Sequence, residues 1–221
     1  MTLTLYAHPF SSYCQKVLIA LWEYGLAFDY RVPGPQAPVV NDELKAHWPF
    51  GKFPTLVDDG RTVAESSIII EHLTLRHAAG NPARLLPADP TEALEVRFLD
   101  RVFDNHVMSN MQQPVNEALR GGERLAEVRA ASAAALDVAY AWLDTRLQGR
   151  EWAAGDRFSL ADCAAAPSLF YADWVHPIDD GRHPTLRAYR SRLLTQPSFA
   201  RAVEEARPFR PYFPLGAPDR D

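Results

Sequence analysis

Cysteine is scarce in this chain: Cys14 and Cys163 are the only two in 221 residues. Two thiols cannot build a disulfide framework or a zinc site, and the N-terminus lacks the basic-then-apolar pattern of a leader. The expected compartment is therefore a reducing cytoplasm, with both thiols free. Long hydrophobic runs are missing as well, which excludes a bilayer-spanning helix. The chain has no lysine- or arginine-rich run and a net charge of only -5, so neither nucleic acid nor an anionic membrane is an expected partner. His8, His72 and His106 lie in different predicted elements without ligand spacing, and no metal is expected. Repeats and low-complexity segments are absent too. What remains is an ordinary globular composition, 47% hydrophobic and 23% charged, long enough for one large domain or two small ones.

Residues 1–80 mix two periodicities. TLTLYA (2–7) alternates as a strand does, CQKVLIALWEYG (14–25) carries apolar residues at helical spacing before a glycine stop, and FDYRV (28–32) reads as a second strand. A polar, proline-broken stretch through Trp48 predicts irregular chain. PTLVDDGRTVAE (54–65) is a hairpin about Asp-Gly, and SSIIIEHLTLRHA (66–78) returns to helical spacing. Together these make a small α/β layer. Residues 81–90 lie in the linker GNPARLLPADP, and residues 91–221 show no strand pattern. Asp89-Pro90-Thr91-Glu92 is a helix start with cap, proline and glutamate in order, opening a long helix toward Gly121. Further helices are predicted over 124–148, 160–173, 184–195 and 197–207, and the tail RPFRPYFPLGAPDRD, with four prolines, predicts none.

Three short pieces of the α/β layer could carry chemistry. In HPFSSYCQKVLIAL (8–21) two hydroxyls, Ser11 and Ser12, stand where a strand gives way to a helix, with Cys14 three residues after Ser11. Such a serine caps the helix, or it joins the positive helix end in stabilising an anion such as a thiolate. In GKFPTLV (51–57) a proline opens a strand, in a trans bond or in a cis bond that leaves the backbone of Phe53 free to pair with an extended peptide. In Ala64-Glu65-Ser66-Ser67 an acid and a hydroxyl at a helix start either cap it or hold the two charged groups of an amino acid. Taken together, the three suit a short peptide with an amino-acid end and a thiol in its middle. Glutathione is that molecule.

At this point the sequence resembles the soluble glutathione transferases, over essentially residues 1–207. SSYCQKVLIAL resembles the serine-type classes: a zeta-like pattern in Ser11, Ser12, Lys16, Val17 and Ile19-Ala20-Leu21, and a delta-like one in Ser11, Ser12 and Cys14. PFGKFPTLVDDGRTVAES resembles the family's glutathione-site signature, and GDRFSLADCAAAP its structural capping box, with Ser159 and Asp162. The resemblance implies α/β plus all-α architecture, a thioredoxin-like N-terminal domain followed by an all-helical domain, in a bacterial enzyme of serine type. It implies thiol activation by Ser11, a glycine-end contact at Lys52, backbone pairing at Phe53, a cis bond at Pro54 and a γ-glutamyl clamp of Glu65 and Ser66. It also implies a homodimer, glutathione as co-substrate and a small hydrophobic electrophile or disulfide as second substrate, in the detoxifying manner of the family. Conjugation, isomerisation and disulfide reduction stay open, as does a non-catalytic relative that uses the fold to bind partners. Phe53 is larger than the residue usual before that proline, and Trp48 stands where an asparagine is common.

Tyr6 and Cys14 are rival candidates for thiol activation, each more suited to the core. Tyr13 and, on the first long helix, Met108 and Met111 are the candidate walls of the second-substrate pocket, in a segment that also carries Asn105, Asn110 and Gln112. The aromatic tail, Phe209, Tyr212 and Phe213, either folds over that pocket or packs elsewhere on the surface.

Overall fold

The computed structural model describes residues 2–81 and 84–221, so Pro82 and Ala83 of the predicted linker lie outside the described residues. Strands β1 (Leu3–Tyr6), β2 (Asp29–Arg31), β3 (Thr55–Asp58) and β4 (Arg61–Ala64) form one mixed sheet in the order β2-β1-β3-β4. Strand β1 runs parallel to β2, with Leu5 opposite Tyr30, and antiparallel to β3, with Leu5 opposite Leu56. A parallel pair needs a crossover, and helix α1 (Ser12–Glu23) provides it. Asp59 and Gly60 join β3 to β4 at φ of 46° and 85°, the paired positive values whose twist matches a two-residue hairpin. Helix α3 (Ser66–His77) then returns across the layer.

Helix α1 is covered over most of its length, from Cys14 to Leu21. Val17 to Leu21 are all fully buried, among the strand residues Leu5 and Leu56 and the helices of the C-terminal half. The predicted irregular stretch before Trp48 is instead partly a helix, α2 (Pro38–His47). Pro38 sits in its first turn, where the missing N–H takes nothing from the helix. Only Leu44 of α2 is buried, so the segment lacks the apolar periodicity that would reveal it.

The C-terminal half consists of α4 (Pro90–Val102), α5 (Ser109–Leu119), α6 (Leu125–Arg146), α7 (Leu160–Val175), α8 (Pro184–Thr195) and α9 (Pro197–Ala206). The Asp89 carboxylate caps α4, accepting the N–H groups of Thr91 and Glu92 at 2.9 Å each. Between α4 and α5 the same rod widens into a π-helical stretch, Phe103–Met108. Pro114 within α5 cannot donate to the Asn110 carbonyl one turn back, and the Ser132 hydroxyl of α6 donates to it instead at 2.8 Å. Helix α7 is buried from Leu160 to Asp173 and packs on α1. At its start the buried Asp162 carboxylate accepts the Ser159 N–H at 2.9 Å and the Tyr189 hydroxyl at 2.6 Å. The tail corrects the expectation of no helix: Arg207–Tyr212 is a 3₁₀ stretch. Its prolines, Pro208 and Pro211, are three residues apart, matching a three-residue turn. No described helix is long and apolar enough to cross a membrane.

Candidate functional site

The corner between β1 and α1 is tied from both sides. Ser11 holds an extended backbone, φ -87° and ψ 123°, and its N–H donates to the His8 carbonyl at 3.0 Å. The buried Gln15 amide donates to the Pro9 carbonyl at 2.9 Å and to the Tyr171 hydroxyl of α7 at 3.1 Å. The Ser11 hydroxyl makes no capping bond to the helix it precedes. Together with Ser12 it lines a pocket of about 300 Å³ whose walls include Phe10, Tyr13, Met111, Val115, Tyr171 and Phe213. The first turn of α1 contributes the partial positive charge of a helix start beside that space.

The two rivals to Ser11 are placed elsewhere. Tyr6 is buried with Leu44 and Val57, and its hydroxyl donates to Glu43 of α2 at 3.3 Å. Cys14 is fully buried, and burial pushes its thiol up to about 12, against hydrogen bonds from the Ser11 side chain and the His8 backbone. A thiol held there stays protonated at neutral pH.

Beside this pocket runs a groove of about 640 Å³, and Lys52, Phe53, Pro54, Glu65 and Ser66 all line it. The Phe53–Pro54 bond is cis, and the Lys52 carbonyl accepts the Thr55 hydroxyl at 2.9 Å. Glu65 is exposed and precedes α3 with φ of 69°, an uncommon conformation for a residue with a side chain. Ser66, buried, is the first residue of α3. Tyr13 lines both hollows, and burial foremost, followed by the charge of Asp104, raises its hydroxyl pKa. Met111 joins Tyr13 in the apolar pocket, whereas Met108, 1% exposed, is core: it ends the π stretch facing the packed interior. Of the polar residues on that rod, Gln112 lines the apolar pocket and Asn105 the groove. The tail covers the pocket, with the Phe213 ring 6.4 Å from Phe10 and 5.2 Å from Trp174.

A buried charge cluster at the groove was not foreseen. Lys16 of α1, 1% exposed, places Nζ 2.5 Å from Asp100 and 2.8 Å from Asp104, and donates to Ser67 of α3 at 2.9 Å. Arg101 pairs with the same two carboxylates from the groove side, at 2.7 and 2.5 Å. Burial raises the Asp104 carboxyl above its ordinary value, and Asp100 reinforces the shift, against the opposing charge of Lys16. The cluster joins the α/β layer to the helical half beneath the groove. Its signal in the sequence is a lysine inside an otherwise apolar helix run, which burial permits only with acidic partners. His8 is a second residue of this region, with its ring 6.4 Å from Phe53 and 4.6 Å from Phe209 of the tail; burial lowers its pKa.

A four-stranded mixed sheet carrying a cis-proline groove, followed by an all-helical half, defines a thioredoxin-like domain joined to a helical bundle. The particular family follows from the comparisons. Residues 5–82 match the glutathione S-transferase N-terminal domain and residues 96–197 the glutathione S-transferase C-terminal domain, and the chain belongs to the glutathione S-transferase superfamily. FtsZ-localized protein A of Caulobacter vibrioides is 30% identical over 208 residues, 89% of this chain and 88% of its own. A probable maleylacetoacetate isomerase of Caenorhabditis elegans is 26% identical over 210 residues, 92% of this chain and 94% of its own. A Methylobacterium radiotolerans glutathione S-transferase in complex with glutathione sulfonate superposes with a TM-score of 0.77 at 32% identity, covering 92% of this chain and 95% of that one.

Proposed function

We propose that the protein binds glutathione as its thiolate and presents the sulfur to a small apolar electrophile. One observation carries this reading: Ser11 lines an aromatic pocket that shares Tyr13 with a groove lined by Lys52, Phe53, Pro54, Glu65 and Ser66. In this reading the γ-glutamyl end of the peptide lies on Glu65 and Ser66, its middle pairs with the Phe53 backbone, and its glycine end reaches Lys52. The sulfur then falls at Ser11, where a hydroxyl donor and the start of α1 lower a thiol pKa that is ordinarily near ~8.5. Residues 1–80 bind the peptide, 81–90 link, and 91–221 carry the second substrate.

No lysine, arginine, histidine, aspartate or glutamate is among the described residues that line the aromatic pocket. That composition favours an uncharged electrophile over a doubly charged one, and conjugation as the reaction. A homodimer completes the proposal. Ile68 and Leu75 of α3, Leu94 and Phe98 of α4, and Val138 and Trp142 of α6 are exposed, with Phe98 and Trp142 in edge contact at 5.9 Å. Apolar groups exposed in such number are what a second copy would cover. Two buried, unpaired cysteines suit a reducing cytoplasm.

The deciding experiment is calorimetric titration of glutathione in two buffers of different ionisation enthalpy, which counts protons released per ligand bound. Binding with proton release at neutral pH is the expected result. Binding without release would remove the activating role of Ser11. The similarity to FtsZ-localized protein A favours a second reading, a non-catalytic interaction protein, and an absence of glutathione binding would select it.

A further inference from the structure

The other end of β3 carries a different chemistry. Asp58 is its last residue, fixed by pairing with Leu3 of β1 and with Arg61 of β4. Four residues of strand, about 13 Å at ~3.3 Å each, separate it from the cis-proline end that lines the groove. His72 and His77 of α3 both aim Nε2 at the same carboxylate oxygen, Oδ2 of Asp58, at 2.8 Å each. The three ligand atoms lie within 4.8 Å of one another, and the side chains of His72, Asp58 and His77 are 10%, 8% and 2% exposed. The two rings stand at 61° with centroids 6.2 Å apart, so their edges converge on one point.

We propose that Asp58, His72 and His77 form a binding site for a divalent transition-metal ion, zinc by preference, which braces the end of α3 against the sheet. Two imidazoles and one carboxylate are a borderline donor set that suits zinc, cobalt or nickel and is poor for magnesium or calcium. Tetrahedral zinc holds such atoms at ~2.0–2.2 Å, which places ligand atoms about 3.3 Å apart. The observed nitrogen–oxygen separations of 2.8 Å need to open by only about half an ångström to admit the ion, with each imidazole proton moving to Nδ1. Three ligands leave a fourth position for water, and His72, the least buried of the three, is where water would reach the ion. Rigid elements hold the donors: one sits at a strand end, and the other two lie five residues apart on one helix. That separation is not the four-residue spacing of two ligands on a single helix face, so no metal motif is visible in the linear sequence.

The test uses the intact, metal-stripped protein without glutathione, whose own thiol would compete for the ion. Zinc is titrated by calorimetry, and cobalt is added as a spectroscopic probe. One zinc per chain at micromolar or better affinity is expected, with visible tetrahedral cobalt bands and a melting temperature raised by about 5–10 °C at a hundredfold excess over Kd. His72→Gln and His77→Gln should each weaken binding more than about 100-fold, beyond the loss of an outer hydrogen-bond partner, while the control His106→Gln leaves it unchanged. Absence of zinc binding at micromolar concentration, or binding that survives both ligand variants, overturns the proposal and makes the cluster a hydrogen-bonded strut. If the variants fail to fold, the wild-type cobalt spectrum decides alone: without tetrahedral bands the site does not exist. None of these readouts depends on glutathione, so their failure leaves the peptide-binding reading untouched.

Discussion

The two hollows that meet at Tyr13 are built from opposite materials. The groove holds Lys52, Glu65, Glu71, Arg97, Asp100, Arg101 and Asp104, whereas the pocket beside it is aromatic and aliphatic with only hydroxyl and amide groups for polarity. Charges of both signs at a groove wall suit the zwitterionic peptide proposed above, because each end could find a counterion there. An uncharged pocket strengthens any interaction made inside it, since little competing water or charge is present. Under the proposed function the contrast is a division of labour, with binding energy from one hollow and chemistry in the other. Ser11 stands on the apolar side of that border, although every other residue expected to touch the peptide stands on the charged side.

That contrast can be broken from beneath, and the effect there should be the largest. Lys16→Met removes the buried one of the two cations paired with Asp100 and Asp104 and leaves both carboxylates to the half-exposed Arg101, which should destabilise the fold by about 3–5 kcal/mol. Urea unfolding reads this directly, and an unchanged midpoint would show that the cluster does not hold the halves together. Next, Ser11→Ala should lower turnover about 100-fold, or ~2.7 kcal/mol, with glutathione affinity altered less than about threefold. A loss of affinity with turnover intact would move Ser11 to the recognition side and dissolve the division.

On the charged side, Glu65→Gln or Ser66→Ala should weaken glutathione binding about tenfold, close to one charge-assisted hydrogen bond, with kcat nearly constant. Phe213→Ala should raise KM for an apolar electrophile a few-fold and leave the glutathione Kd unchanged, because Phe213 lines the pocket and not the groove. The smallest effect concerns pH. Burial pushes Asp173 up, but Arg190, the Ile178 N–H, Arg220 and Arg187 outweigh it and hold the carboxyl below its ordinary value. A depressed native value means that the ion pair between the Asp173 carboxylate and Arg220 of the tail contributes fully above the unfolded value near ~3.9 and is lost as pH falls through the native one. Trp174, beside Phe213, should report a docked tail by fluorescence at about pH 5 and release only below about pH 4. Release at neutral pH would disprove that ion pair.

Much of this molecule was legible before its structure. The hairpin about Asp59-Gly60 and the cap at Asp89 are local devices, in which a few neighbouring residues satisfy their own backbone. Five residues of the groove wall were legible because they sit in two short motifs, at a strand start and a helix start. Helix α2 was hidden by the prolines before and at its start and by its single buried residue. Met108 was misplaced because a π-helical stretch shifts the phase on which any reading of helix faces depends. The bond from Ser132 to the Asn110 carbonyl spans 22 residues and corrects a defect that proline made; nothing near Pro114 announces it.

By itself, the sequence determined the order of the strands and of most helices, the two halves, and five residues of the groove wall, because each of these follows from backbone preferences within a few residues. Tertiary structure decided where charges could lie buried and which hollow each side chain entered. Lys16 finds Asp104 across 88 residues, and Phe213 returns to Phe10 from the far end of the chain. Two histidines and an aspartate meet only because a strand end and a helix end are packed side by side. Burial and convergence are properties of packing, and packing depends on residues distant in the chain that no local pattern contains.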